Sequence, residues 1–286
     1  MPGVNEHPPI PPTSARDTPT FRDAADRHRA GATFDNDLQE SADGATGYHR
    51  VRPGYPPTVI EALTRLAPHP QVVADIGAGT GKLTASLADV YRDATLLALD
   101  PSTAMRQALM HNVPAAECLE GTAERTGLES NSVDVATCAQ TWHWVDPTAA
   151  SKELTRVLRA DSVAMLVWNT LDVSVPWVHR LSRIMHAGDV LRPGFYPEVG
   201  PELELVDEVR LAWEQTLTIE DIVLLARTRS YWLRSKPATR AKVEANLHWY
   251  LHEHLGHTYE EGIALPYRCD ACLLYTSPSP RDATLS

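Results

Sequence analysis

The run Val72 to Leu83, VVADIGAGTGKL, constrains this chain more than any other stretch. Apolar residues lead to an acid, Asp75, and three alternate glycines follow, Gly77, Gly79 and Gly81. Val72, Val73, Ala74 and Ile76 suit a strand buried on both faces of a parallel sheet. Glycine lets a backbone turn sharply and lie against a ligand with no Cβ in the way. Leu83 to Val90 reads as the helix that follows, so the segment is a strand turning tightly into a helix, a unit that grips nucleoside-containing cofactors.

Spacing separates the ligands that use such a turn. A phosphate-cradling P-loop would need glycine at position 76 and Ser or Thr at 83, where Ile76 and Leu83 stand. A dinucleotide fingerprint wants its third glycine at 82, which is Lys82. What remains is GxGxG behind Asp75, and this resembles the first motif of class I S-adenosylmethionine-dependent methyltransferases. The second strand, LLALD, ends at Asp100, nineteen residues past Gly81. An acid about 20 residues beyond a Gly-rich turn accepts hydrogen bonds from ribose hydroxyls, and in the methyltransferase pattern this acid binds the ribose. Asp100 followed by Pro101-Ser102 also fits a turn or helix cap.

Two further blocks carry the resemblance. EGTAERTGLESNSVDVATCAQTWHWVDP, Glu120 to Pro147, is similar to a region of the type 11 methyltransferase family, within it to small-molecule enzymes related to the aconitate and cantharidin methyltransferases. By that resemblance Thr122, Ala123 and Glu124 flank the adenine after strand three, and Ala139 and Gln140 close on the cofactor after strand four. The family's Leu-Pro after Ala-Glu is replaced by Arg125-Thr126-Gly127-Leu128, which alters the rim of the adenine pocket. YHRVRPGYP, Tyr48 to Pro56, matches a family segment that crosses the cofactor pocket like a strap. Arg52 is suited to pair with the cofactor's carboxylate, and the same segment also reads as a loop leading into a helix that begins with Pro57.

The resemblance implies a doubly wound, Rossmann-like, seven-stranded and mostly parallel α/β sheet with a helical insertion in the C-terminal half. Ser162 to Asn169 reads as the fifth strand, with Ala160-Asp161 in place of the family's Pro-Gly-Gly before it. Beyond it the pattern gives helices at 178–186, 219–227 and 239–254, a strand at 208–216 and a last strand near 264–268. One domain is expected over 21–271, with a cofactor core at about 48–170 and a cap at about 171–260.

The ends are set apart. Residues 1 to 20 hold six prolines and almost no large apolar side chains, a composition that stays disordered. CLLYTSPSPRD, Cys272 to Asp282, resembles the translation of a transposase sequencing adapter, so the native sequence is expected to end near Ala271 and 272–286 to be foreign. Cys269 and Cys272 have C-x-x-C spacing without the second pair a structural zinc site needs. HEHLGH, His252 to His257, places Gly256 where the zinc-protease HExxH motif needs its second His. No metal is expected.

The net charge of −11 argues against a nucleic-acid surface. No apolar run approaches a membrane span, and the start has no signal-peptide pattern, so a cytoplasmic protein is expected. The function read from these features is methyl transfer from S-adenosylmethionine to a small-molecule oxygen, with a non-catalytic cofactor binder and an NAD-type oxidoreductase as alternatives. For a hydroxyl acceptor a general base helps, and His143 in TWHWV is the candidate. A carboxylate acceptor needs none.

Overall fold

The computed structural model describes residues 44–187 and 191–276; the expected tail at 1–20 and residues 277–286 lie outside them. Among the described residues two helices come first, α1 (Gly44–Val51) and α2 (Pro57–Leu66), the latter with Pro57 at its first turn. There follow β1 (Val72–Ile76), α3 (Lys82–Val90), β2 (Thr95–Leu99), α4 (Thr103–Asn112), β3 (Glu117–Leu119) and β4 (Val133–Ala139). A 3-10 turn (Trp142–Trp144), α5 (Pro147–Val157) and β5 (Leu158–Leu171) complete the parallel half. The rest is α6 (Pro176–Ile184), β6 (Leu203–Leu217), α7 (Ile219–Arg227), α8 (Ser230–Leu233), α9 (Pro237–His248), a π-helical turn (Trp249–His254) and β7 (Ile263–Thr276).

The seven strands form one sheet in the order β3-β2-β1-β4-β5-β7-β6. β1 pairs in parallel with β2 and β4, and β4 with β5, while β7 runs antiparallel to both β5 and β6. Side chains alternate between faces along a strand. On β5, Val163, Met165 and Val167 join a core with α2 and α3, whereas Ala164, Leu166 and Trp168 join a core with α5. A third core, built from α1, α6, α7, α9 and the ends of β6 and β7, buries Val51, Leu181, Ile222, Leu247 and Tyr267. This is the helical insertion, and it stands at the C-terminal ends of the parallel strands, where an open α/β sheet binds its ligands.

Several boundaries differ from the sequence pattern. β6 extends back to Leu203 because it is an edge strand: Glu204, Glu208 and Glu214 face outward, and such charges protect an edge while hiding it from a hydrophobic reading. β7 continues to Thr276, with Cys272, Leu273 and Leu274 buried and paired to Leu166, Met165 and Ala164. The sheet therefore uses strand positions beyond Ala271. The helix expected over 239–254 widens into the π turn at Trp249, where the buried Tyr250 donates its hydroxyl to the Trp177 carbonyl at 3.0 Å. β5 begins at Leu158, ahead of the expected Ser162, and within it Asp161 takes φ +60°, the left-handed position that a glycine would otherwise supply.

Candidate active site

The glycine turn crosses from β1 to the end of β2. The amides of Gly77 and Ala78 both donate to the Leu99 carbonyl, at 2.8 and 2.9 Å, drawing the turn toward Asp100. Gly77 and Gly79 have φ of +71° and +56°, but their surroundings differ. A Cβ on Gly77 would lie 2.8 Å from the Cβ of Thr141 and closer still to its Oγ1 and Cγ2, whereas one on Gly79 would meet no heavy atom within 4 Å. Gly77 is thus required by packing, while Gly79 presents bare backbone to open space.

Two acids anchor this turn. Asp100 Oδ2 accepts from the Gly79 amide at 2.9 Å and Oδ1 from the Ser102 amide at 2.8 Å, so the carboxylate binds the ends of β1 and β2 together. Ser102 in turn caps α4, and Pro101 is exposed beside it. Asp75 is fully buried beneath the turn, its two oxygens accepting from Thr84 Oγ1 at 2.6 Å and Thr137 Oγ1 at 2.7 Å. Burial raises its pKa to about 6 despite these two bonds. Asp75 thus holds β1, β4 and α3 together from below.

After β3, Thr122 and Arg125 exchange backbone hydrogen bonds at 3.1 and 3.2 Å, and Glu124 Oε1 accepts from the Asp146 amide at 2.9 Å. Ala123 is buried in the core between them. Where the Leu-Pro is missing, the amide and hydroxyl of Thr126 both donate to Glu153 Oε1, at 2.8 and 2.6 Å. Hydrogen bonds from Arg156, then those from Thr126, pull Glu153 down to about 2. The altered rim is therefore tied to α5.

After β4, Ala139 leads into Gln140, which has φ +53° and donates its side-chain amide to the Asn169 carbonyl. His143 lies on the next turn, where its Nδ1 accepts from the Trp168 indole N–H at 3.3 Å. The strap closes the site from the other side. His49 meets the Thr80 hydroxyl of the glycine turn at 3.0 Å, and burial lowers its pKa. Arg52 lies 4.8 Å from the centroid of the Tyr48 ring and donates to the Thr228 carbonyl at 2.9 Å, while its Nε is buried with no hydrogen-bond partner among the described residues.

Several residues of this arrangement carry no motif. Asn169, at the end of β5, donates to the Gly54 carbonyl of the strap at 2.7 Å and accepts from Trp213 Nε1 at 3.1 Å. Asn112 donates to the Thr80 carbonyl at 2.9 Å. The signal available for Asn169 was its position, a polar residue closing the apolar run SVAMLVW at a strand's C-terminal end. Cys269 and Cys272 point to opposite faces of β7, as an odd separation in a strand requires, and burial raises their thiols to about 12 and about 11. Trp177, Tyr231 and Trp232, candidates for an acceptor pocket, pack against the third core, with Tyr231 stacked on His186 at 3.8 Å.

Bare glycine backbone at the end of β1 and an acid just past β2 are the arrangement of a nucleoside-cofactor-binding α/β protein. Residues 74–166 match the methyltransferase domain family. An uncharacterized methyltransferase of Mycobacterium tuberculosis is 38% identical over 234 residues, covering 81% of this chain and 93% of the relative. A proposed type II methyltransferase from Anaeromyxobacter dehalogenans superposes with a TM-score of 0.62 at 26% identity, over 80% of this chain and 99% of that one. The malonyl-[acyl-carrier protein] O-methyltransferase of Methylococcus capsulatus is 28% identical over 143 residues, 49% of this chain and 50% of that protein. The chain belongs to the methyltransferase domain family, and its methyl donor is S-adenosylmethionine. The residues present fit that molecule: Gly79 offers unobstructed backbone, and the buried, unpartnered Arg52 Nε suits an amino-acid carboxylate.

Proposed function

We propose that this enzyme methylates an oxygen, hydroxyl or carboxylate, of a small molecule. The observation that carries the reading is the pairing of bare backbone at Gly79 with Asp100, whose carboxylate accepts the Gly79 amide from the end of β2. Each carboxylate oxygen has two lone pairs, so Asp100 can accept a ribose hydroxyl beside its backbone amides, with Pro101 against the sugar. Gly77 and Gly81 shape the turn, and Asp75 supports it from below. Thr122, Ala123 and Glu124 border the adenine, Ala139 and Gln140 close over the cofactor from β4, and Tyr48 and Arg52 cover its amino-acid end.

When bound, S-adenosylmethionine supplies an electrophilic methyl carbon on a sulfonium. The protein's task is to hold an acceptor oxygen in line with that carbon and to keep water out. The strap, the turn bearing His143 and the helices after β5 surround that position, and their aromatic content favours a small organic acceptor over a macromolecule. An oxygen acceptor is supported by the O-methyltransferase among the relatives. Among the described residues no helix is long and apolar enough to cross a membrane, and free thiols at Cys118, Cys138, Cys269 and Cys272 fit a reducing compartment, the cytoplasm.

The test is incubation with methyl-labelled donor and a panel of small acids, alcohols, phenols and amines, with products read by mass spectrometry. O-methyl products are expected. Methylation confined to amines would refute the assignment to oxygen.

A further inference from the structure

Asn169, near the C-terminal end of β5, stands where the strap, β6 and the turn after β4 meet. It is 3% exposed, and both ends of its side-chain amide are engaged. Nδ2 donates to the Gly54 carbonyl of the strap at 2.7 Å, and Oδ1 accepts from Trp213 Nε1 of β6 at 3.1 Å. Its backbone carbonyl accepts from the Gln140 side chain on the turn after β4. An indole N–H only donates and a carbonyl only accepts, so these partners fix which end of the amide faces which. Trp213 is itself held, its ring stacked on Tyr267 with centroids 5.4 Å apart. At this side-chain length an amide supplies the donor and the acceptor together. An ionised Asp would set a carboxylate against the Gly54 carbonyl, and Leu would leave both partners without a bond.

The first half of the strap is tethered elsewhere. Arg50 pairs with Asp221 at 2.6 Å, Gln215 donates to the Val51 carbonyl at 3.2 Å, and Arg52 donates to the Thr228 carbonyl at 2.9 Å. Those contacts lead to β6 and to the helical insertion around α7. Asn169 ties the part beyond Pro53 to the parallel half of the sheet, beside the turn that carries Gln140. We propose that Asn169 is a positioning residue whose amide clamps the strap onto the sheet, and that the enzyme's hold on the amino-acid end of its cofactor depends on this clamp. The proposal rests on the reading that Tyr48 and Arg52 of the strap cover that end. Asn169 acts through Gly54: Pro53, with its fixed φ, separates Gly54 from Arg52, so a shift of the Gly54 carbonyl carries Arg52 with it.

Calorimetry of the full chain tests this with S-adenosylhomocysteine and with 5′-methylthioadenosine, which keeps the nucleoside and the sulfur but has no amino-acid chain. At about pH 8, Asn169→Asp should bind S-adenosylhomocysteine at least about tenfold more weakly than wild type, and 5′-methylthioadenosine within about twofold. Burial raises the pKa of a carboxyl, and a protonated carboxyl regains an O–H donor for Gly54 while its other oxygen still accepts from Trp213. Affinity of Asn169→Asp should therefore recover as pH falls, to within about threefold of wild type near about pH 6. Wild type titrated in parallel removes the contributions of His49, Asp75 and other titrating groups. Asn169→Leu should keep its loss at both pH values. A loss in Asn169→Asp that ignores pH, or one equal for both ligands, overturns the proposal. Should Asn169→Asp not fold, Trp213→Phe decides, because it keeps a ring against Tyr267 but removes the indole donor: unchanged affinity for S-adenosylhomocysteine overturns the proposal, and a loss confined to that ligand supports it. Wild type that binds S-adenosylhomocysteine no better than 5′-methylthioadenosine refutes the underlying placement of the strap, whereas selective binding kept intact in Asn169→Asp refutes only the role of Asn169.

Discussion

Alanine at Gly77 and at Gly79 should damage different properties of the protein. Both sites have positive φ, so each substitution incurs left-handed strain of about 1–2 kcal/mol. At Gly79 nothing lies within 4 Å of the new methyl, and strain is the whole cost to the fold. At Gly77 the methyl meets Thr141, which cannot swing aside because its hydroxyl bonds the Gly77 and Ala139 carbonyls at 3.1 and 3.0 Å. Overpacking adds about 1–3 kcal/mol, for a total of about 2–5 kcal/mol. At about 2–4 °C per kcal/mol for a chain of this size, Gly79→Ala should lower Tm by about 2–8 °C and Gly77→Ala by about 4–20 °C. Cofactor affinity should follow the opposite order relative to stability, since the Gly79 methyl projects into the space proposed for S-adenosylmethionine. A loss of 1.4 kcal/mol there is tenfold in Kd. Thermal denaturation paired with calorimetric titration checks both; Gly79→Ala binding like wild type, or proving less stable than Gly77→Ala, would refute the reasoning.

Other perturbations follow from the same geometry. Asp100→Ala removes the acceptor of the Gly79 and Ser102 amides, and cofactor affinity should fall about 10- to 100-fold while His143→Ala leaves it nearly unchanged; equal effects in calorimetry would undo the assignment of roles. Asp75, raised by burial from 3.8 to about 6, binds a proton more readily folded than unfolded. Its contribution is fully present below about pH 4 and is lost as pH rises to 6. Asp75→Asn should therefore flatten that decline in urea-melt stability between pH 4 and 6, and an unchanged profile would count against it. Glu153, held near 2 by Arg156, acts in the reverse sense below about pH 4.5, so the two must be separated by mutation. Ending the chain at Ala271 removes Leu273 and Leu274 from the core, about 1.5–3 kcal/mol each, a large part of a typical stability of about 5–15 kcal/mol. Such a chain should melt far lower or fail to fold; an unchanged Tm would show that 272–276 are dispensable.

What the sequence made legible was local. The apolar run and alternate glycines of Val72 to Leu83 were enough to place β1, its turn and α3, and the spacing to Asp100 placed the end of β2. Ile219–Arg227 was readable to the residue because Thr218 and Asp221 form a capping box ahead of an apolar helix. Contacts across long sequence separations left no such trace. Asn169 to Gly54, Trp168 to His143 and His49 to Thr80 join single polar residues 115, 25 and 31 positions apart, with no periodicity or spacing to announce them. Asp75 shows the opposite limit: its place at the strand end was plain, yet only the fold reveals that Thr84 and Thr137 occupy both its oxygens. β6 and the end of β7 were obscured by an outward row of charges and by the adapter-like composition of Cys272 to Thr276.

Calorimetric titration of the full chain with S-adenosylmethionine, S-adenosylhomocysteine and NAD tests the central claim most directly. The account predicts Kd values in the micromolar range for the first two, none for NAD, and a sharp loss in Gly79→Ala. A folded protein that binds neither nucleoside, or that binds NAD instead, would contradict it.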